Sequence, residues 1–247
     1  MNPVAFHVFG RPIYWYGIFV ALGFLAGITH WNLRARREGW PAETGSDLGF
    51  WIMIGGMLGA RLAYVLAHWP DYAAAPLTIL RIDQGGLIYY GGFIGGAVAT
   101  LLFARRRRRP LLEVADFTIG AVPLGHFFGR IGCFINGCCY GIPTSGLIAC
   151  SYPFDGVPRH PVQLYEAIGN LCIYLLLLRA PPRRAGDRFA FYLLLYPILR
   201  FVLEFLRGDA RWRWRGLTMA QLISAALFLT GFALLYRPFR MARKGAY

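Results

Sequence analysis

The stretch Gly129–Gly141 reads GRIGCFINGCCYG and gathers Arg130, Asn136 and three of the five cysteines, Cys133, Cys138 and Cys139, among four glycines. An Arg at the edge of an apolar segment is costly unless an anion partners it. Its planar fork is also the side chain best suited to a phosphate. Four glycines in so short a stretch point to a backbone that bends or admits a close neighbour. A plain Gly-rich helix break with a snorkelling Arg accounts for the same residues. The local chemistry leaves both readings open.

Other ionisable residues lie inside apolar segments, where such groups are functional candidates. They are Arg61 in GARLAYVL, Glu166 in RHPVQLYEA, and Arg200 and Glu204 in YPILRFVLEFLRGD. Arg200 and Glu204 stand four apart, a spacing that lets them pair on one helix face. Such a pair can simply fix packing. Arginines still outnumber carboxylates here, and a cationic surplus suits phosphate. Gly91, Gly92, Gly95 and Gly96 follow Tyr89 and Tyr90. They fit either close helix packing or a thin-walled binding site.

The cysteines have quieter readings too. Cys172 packs as a small hydrophobe. Cys138 and Cys139, with Cys150 beyond them, fit a disulfide across an outer loop. A zinc site from Cys133, Cys138, Cys139 and Cys150 would need CxxxxCC, which is not a usual zinc spacing. No metal and no cofactor are expected. A thiol–disulfide oxidoreductase built on the cysteine cluster would lack a CxxC pair.

The elements that must position these groups are apolar. The chain has 247 residues, of which 57% are hydrophobic and 15% charged, against about 25% charged in a soluble domain. The spacing predicts seven spans, over about 13–33, 47–69, 87–104, 112–128, 161–178, 189–206 and 217–236. An amphipathic stretch, 72–82, is expected along the interface. The first apolar segment shows no small-residue cleavage site and is expected to stay as a span. The formal net charge is +14. The basic residues fall in blocks after spans one, three, five and seven, including Arg105 to Arg109 and the tail with Arg237, Arg240, Arg243 and Lys244. That alternation encodes topology rather than nucleic-acid binding, and it puts the N-terminus outside and the C-terminus in the cytoplasm. Arg207, Arg211, Arg213 and Arg215, interleaved with Trp212 and Trp214, fall on the outer side and read as a headgroup-level loop. The fold class expected is an all-α, polytopic membrane protein, one integral-membrane domain over residues 1–247 with a small outer loop domain.

Taken together, the motifs resemble bacterial prolipoprotein diacylglyceryl transferases. The carriers are YWYGIFVALGF around Tyr16, GARLAYVL around Arg61, GGLIYYGGFIGG around Tyr90, GRIGCFINGCCYG, RHPVQLYEA and YPILRFVLEFLRGD. The resemblance implies a transferase of the bacterial inner membrane with its active site toward the outer face. It implies transfer of the diacylglyceryl group of phosphatidylglycerol to the lipobox cysteine thiol of a lipoprotein precursor. The partners implied are phosphatidylglycerol, the precursor's signal peptide and membrane lipids. Carried over by position, Arg130 and Arg200 hold the phosphate, Glu204 orients Arg200, and Tyr90 stands where the family has a candidate base. Tyr16, Arg61, Gly91, Gly92, Asn136, Tyr196, His160 and Gln163 are implied in substrate binding. The chain departs from the family pattern in three places. Tyr90 stands for a His, Cys133 for an Asn and Cys138 for a Glu. These departures keep a relative with a different acceptor as the alternative.

Overall fold

The computed structural model describes residues 2–73, 75–81, 85–152, 154–179, 182–209 and 211–236. The basic tail from Arg237 onward and Ile82 lie outside the described residues. The chain divides into two compact units, Phe24–Val122 and the remainder on either side of it. Among the described residues, four helical segments are long and apolar enough to cross a membrane: Trp15–Arg37, Thr44–Ala67, Leu111–Ile135 and Val162–Arg179. A shorter apolar helix covers Met219–Leu235. The molecule is mainly helical.

The Phe24–Val122 unit contains most of α1 (Trp15–Arg37), all of α2 (Thr44–Ala67), the short α3 (Trp69–Ala73), a 3-10 turn at Pro76–Leu80, α4 (Tyr89–Arg106) and α5 (Leu111–Ile119). The expected interfacial stretch 72–82 thus resolves into a short helix and a 3-10 turn. Trp31, Leu48, Phe103, Val114 and Phe117 form the buried core. Trp40 stacks on Phe117 with ring centroids 4.7 Å apart. The basic block after α4 is tied down as well, with Arg107 paired to Asp47 and Arg109 over the Trp40 ring.

Glycines set the approach of α2 to α4. A Cβ on Gly95 would lie 2.0 Å from the Gly55 carbonyl oxygen, and one on Gly91 would lie 2.4 Å from that of Gly59. Two small-residue rows therefore meet backbone to backbone, the arrangement by which membrane helices pack closely. Gly91 belongs to this seam. Gly92 is looser, 3.4 Å from the nearest atom. Gly95→Val is expected to destabilise the protein by about 1–3 kcal/mol, the usual cost of overpacking. Gly96→Ala, whose added methyl meets nothing closer than 3.6 Å, should be neutral. Thermal unfolding of the two variants in detergent compares them directly.

The other unit opens with a hairpin, β1 (Val4–Val8) against β2 (Arg11–Tyr14). Its turn residues Phe9 and Gly10 both have positive φ, 47° and 76°, as a two-residue hairpin turn requires. α1 starts at once after β2, at Trp15. The chain is mainly helical, as expected, and among the described residues three two-stranded ribbons accompany the helices. The second pairs β3 (Cys150–Ser151) with β4 (Pro158–Arg159). The third pairs β5 (Arg213–Trp214) with β6 (Leu217–Thr218). Helices α6 (Val122–Ile135), α7 (Val162–Arg179), α8 (Asp187–Glu204) and α9 (Met219–Leu235) complete this unit. Gly231 brings α9 against α8, since a Cβ there would lie 2.8 Å from that of Leu193.

Candidate active site

The fourth apolar segment does not end at Phe128. α6 continues through Arg130 and Cys133 to Ile135, so the first half of GRIGCFINGCCYG is helix rather than a break. Gly132 is needed for approach, not bending: a Cβ on it would lie 3.3 Å from the Tyr16 Cα. Gly137 ends the helix with φ +72°. Its N–H donates to the Phe134 carbonyl at 3.1 Å, and the Cys138 N–H donates to the Cys133 carbonyl at 3.2 Å. This is the Schellman pattern, which satisfies the last carbonyls of a helix. The loop that follows is pinned from three sides. Gly141 N–H donates to the His160 carbonyl, Ile142 N–H to that of Leu206, and Gly208 N–H to that of Tyr140. A Cβ on Gly208 would lie 2.3 Å from the Gly141 oxygen, so only glycine fits.

Two ion pairs form the polar centre of this unit. Arg130 reaches across from α6 to Glu166 of α7, with Nη2 3.0 Å from Oε1. Tyr196 of α8 donates its hydroxyl to the same oxygen at 3.3 Å. Arg200 and Glu204 pair along α8 at 2.7 Å, as their spacing predicts. Glu204 also accepts from the Thr218 hydroxyl at 2.8 Å and lies 3.4 Å from Arg211. Thr218 caps α9 in a capping box with Gln221. One carboxylate therefore joins the end of α8, the ribbon and the start of α9. Glu166 feels Arg130, His126, Arg200 and Arg207, so the two pairs share one field. The His126 ring lies 5.1 Å from that of Tyr196.

This centre is electrically unbalanced. Arg130, Arg200, Arg207 and Arg211 meet Glu166, Glu204 and Asp209. Buried Nε of Arg130 and Nη1 of Arg200 find no hydrogen-bond partner among the described residues. Buried donors without a partner are uncommon in native proteins, and each calls for an explanation. Burial alone would raise the Asp209 carboxyl, yet hydrogen bonds from Arg207 and Arg211 outweigh it and hold it below the usual carboxylate range.

Several expected residues take positions of another kind. Arg61, in the Phe24–Val122 unit, directs its N–H groups to the carbonyls of Ile79, Gly85, Gly86, Thr78 and Arg81 at 2.8–3.2 Å. A guanidinium has five N–H donors, so Arg61 holds a backbone loop. Tyr90 opens α4 in the same unit, half-exposed and edge-on to Tyr89. Gln163 is buried and used at both ends, donating to the Cys138 carbonyl at 2.6 Å and accepting from Tyr152 at 3.0 Å. His160 Nδ1 lies 3.1 Å from the Tyr165 hydroxyl. Asn136 is exposed in the turn after α6. Tyr16 lies beside Arg130 and Cys133.

Arg207 and Arg211 correct the reading of a lipid-facing basic loop. Arg207 is buried and forks onto Asp209 with two 2.8 Å bonds. Arg213 and Arg215 are exposed. The acid between Arg207 and Arg211 was the available signal. The expected disulfide to Cys150 is also corrected: all five cysteines are free. The sulfurs of Cys138 and Cys139 gather with that of Cys133 instead, all within 4.8 Å of one another.

A family model described as prolipoprotein diacylglyceryl transferase matches residues 3–237. Similar proteins named phosphatidylglycerol–prolipoprotein diacylglyceryl transferase occur in several bacteria. That of Clostridium tetani is 34% identical over 238 residues, 94% of this chain and 95% of the relative. That of Idiomarina loihiensis is 38% identical over 248 residues, 96% and 93% respectively. That of Cupriavidus pinatubonensis is 38% identical over 259 residues, 99% and 94%.

Proposed function

The chain belongs to the prolipoprotein diacylglyceryl transferase family, and from that premise we propose how its site moves a diacylglyceryl group from phosphatidylglycerol to the cysteine thiol of a lipoprotein precursor. The observation that carries the reading is the pair of buried guanidiniums, Arg130 and Arg200, each with an N–H left over after its own carboxylate partner. Those donors suit the phosphate of the lipid. The acceptor sulfur attacks the glycerol carbon, the carbon–oxygen bond to phosphate breaks, and glycerol phosphate leaves with that electron pair. Preorganised donors aimed at the charge that develops are the main source of acceleration in such a step. Glu204 positions Arg200, and Glu166 positions Arg130. Tyr16 and Tyr196 flank the headgroup, while Asn136, His160 and Gln163 keep the signature loop in place around it. From the family resemblance alone we further propose a role for Tyr90 in the chemistry and for Arg61, Gly91 and Gly92 in substrate binding.

The reading includes seven spans, an outer N-terminus, a cytoplasmic C-terminus and a site facing out of the bacterial inner membrane, supported by the alternating basic blocks. A reporter fused after residue 247 should report the cytoplasm, and one in the 141–160 loop the outer compartment. The opposite pattern would put the arginines on the wrong side for an exported precursor. The activity itself is tested by rescue of a cell depleted of its own transferase, with mass spectrometry of a model lipoprotein. Expected is a mass gain of one diacylglyceryl group on the lipobox cysteine. Failure to rescue by protein present in the membrane would refute the assignment and favour a different acceptor.

A further inference from the structure

Cys133, Cys138 and Cys139 are placed in a way that packing does not require. Side chains of adjacent residues in extended chain point to opposite faces. Here the adjacent sulfurs of Cys138 and Cys139 converge with that of Cys133, all within 4.8 Å. Two backbone features bring this about. The Schellman turn at Gly137 folds the chain back over the last turn of α6, and the Cys138 thiol reaches the Cys133 carbonyl at 3.6 Å. Cys139 then adopts φ +65°, a left-handed conformation that residues bearing a side chain disfavour. Strain of this kind persists where the surroundings impose it. The surroundings here are the Gln163 bond to the Cys138 carbonyl and the Gly208 bond to that of Tyr140.

Three converging thiols that form no disulfide are a soft ligand set. Zinc takes thiolates at about 2.3 Å, and its catalytic sites use three protein ligands and keep one position open. Tetrahedral sulfurs at that bond length stand about 3.8 Å apart, so modest side-chain rotation closes the cluster on an ion. Three thiolates and one Zn2+ leave a single negative charge. Arg207 lies beside Cys139 and Arg130 beside Cys133, and both offset it. Arg130 and Cys133 stand three apart on α6, which puts them on one helix face.

We propose that Cys133, Cys138 and Cys139 hold one Zn2+ ion through three thiolates and that its fourth position takes the acceptor thiol of the transfer. The second half of this rests on the transferase reading; the first does not. A thiol bound to zinc is deprotonated, its proton passing to water. The bound sulfur forms the new bond to the glycerol carbon as the carbon–oxygen bond breaks, and glycerol phosphate departs beside Arg130. No electron donor or acceptor is needed. The site thereby supplies what Tyr90, standing where the family has its His, is poorly suited to supply.

The full chain, purified in detergent with reductant and stripped by a chelator, is to be reloaded with zinc chloride and its metal content measured. The expected result is about one zinc per chain, with affinity lowered at least about tenfold in Cys133→Ala, Cys138→Ala and Cys139→Ala. Cys172→Ala, on α7, should bind as the unaltered protein does. Reloading with cobalt(II) gives a second readout that needs no variant: thiolate-to-cobalt absorption should appear and should shift when a lipobox peptide is added, but not with its Cys→Ser version. Absence of bound zinc, absence of that absorption, zinc retained in Cys133→Ala, or a disulfide within the cluster would each overturn the metal site. Full transfer by zinc-free protein, or no spectral shift with the peptide, would overturn the role of the fourth position. Stoichiometric zinc without transfer in the rescue experiment would refute the transferase reading and leave the metal site standing.

Discussion

Arg130→Lys and Arg200→Lys are each expected to lower diacylglyceryl transfer by about 10²–10³-fold, the scale of losing one preorganised contact to a developing charge. The protein should remain in the membrane at near-normal amount. Lysine keeps the positive charge, so Glu166 and Glu204 keep a counter-charge and the buried acids are not orphaned. What is lost is the fork. Arg130 holds Glu166 with Nη2 and keeps its buried Nε in reserve. Arg200 holds Glu204 with Nη2 and keeps Nη1. A single ammonium cannot serve a carboxylate and a phosphate in those two fixed directions at once. The loss should fall on the maximal rate more than on the lipid KM, because the charge on the leaving phosphate grows only as the bond breaks. Transfer of a labelled diacylglyceryl group in membranes, normalised to immunoblotted enzyme, measures it. Near-normal rates in both variants would remove the arginines from the mechanism.

The helices were legible because long apolar segments have few alternatives. Observed boundaries of α2, α4, α7, α8 and α9 fall within three residues of those expected from the apolar runs. What escaped was decided by partners distant in sequence. The hairpin at Val4–Tyr14 is too short and too exposed to announce itself by alternation. α6 runs through Gly129 and Gly132 of the signature stretch, with Tyr16 and Phe19 packed against Gly132, and composition cannot tell this from a break. Arg61 sits in the span expected but serves a loop whose carbonyls lie 17–25 residues away. Glu166 was recognisable as a buried acid, yet only the fold shows that its partner is Arg130. The cysteine cluster had no usual metal spacing, since its geometry comes from a helix C-terminus and one left-handed residue rather than a knuckle.

Glu204→Gln is expected to cost both stability and rate, and the pattern of loss separates positioning from simple packing. The side chain is buried and bound to Arg200, Arg211 and Thr218. Gln keeps the shape and an acceptor for the Thr218 hydroxyl, so the α9 cap survives. It removes the charge that two guanidiniums share, and stranding a buried charge typically costs about 3–5 kcal/mol. Arg211 is partly exposed and still has Asp209, so Arg200 bears most of the loss. An Arg200 without its carboxylate is free to leave the phosphate position. Transfer should therefore fall at least about tenfold, one unit of the 1.4 kcal/mol scale. Glu204→Ala should be less stable again by about 1 kcal/mol, because Thr218 loses a hydrogen bond as well. The decisive comparison is the double variant Arg200→Lys with Glu204→Gln. If Glu204 acts through Arg200, the double variant should be little slower than Arg200→Lys alone, a strong departure from additivity. Multiplicative losses in rate, with thermal unfolding measured alongside, would show that Glu204 acts independently of Arg200.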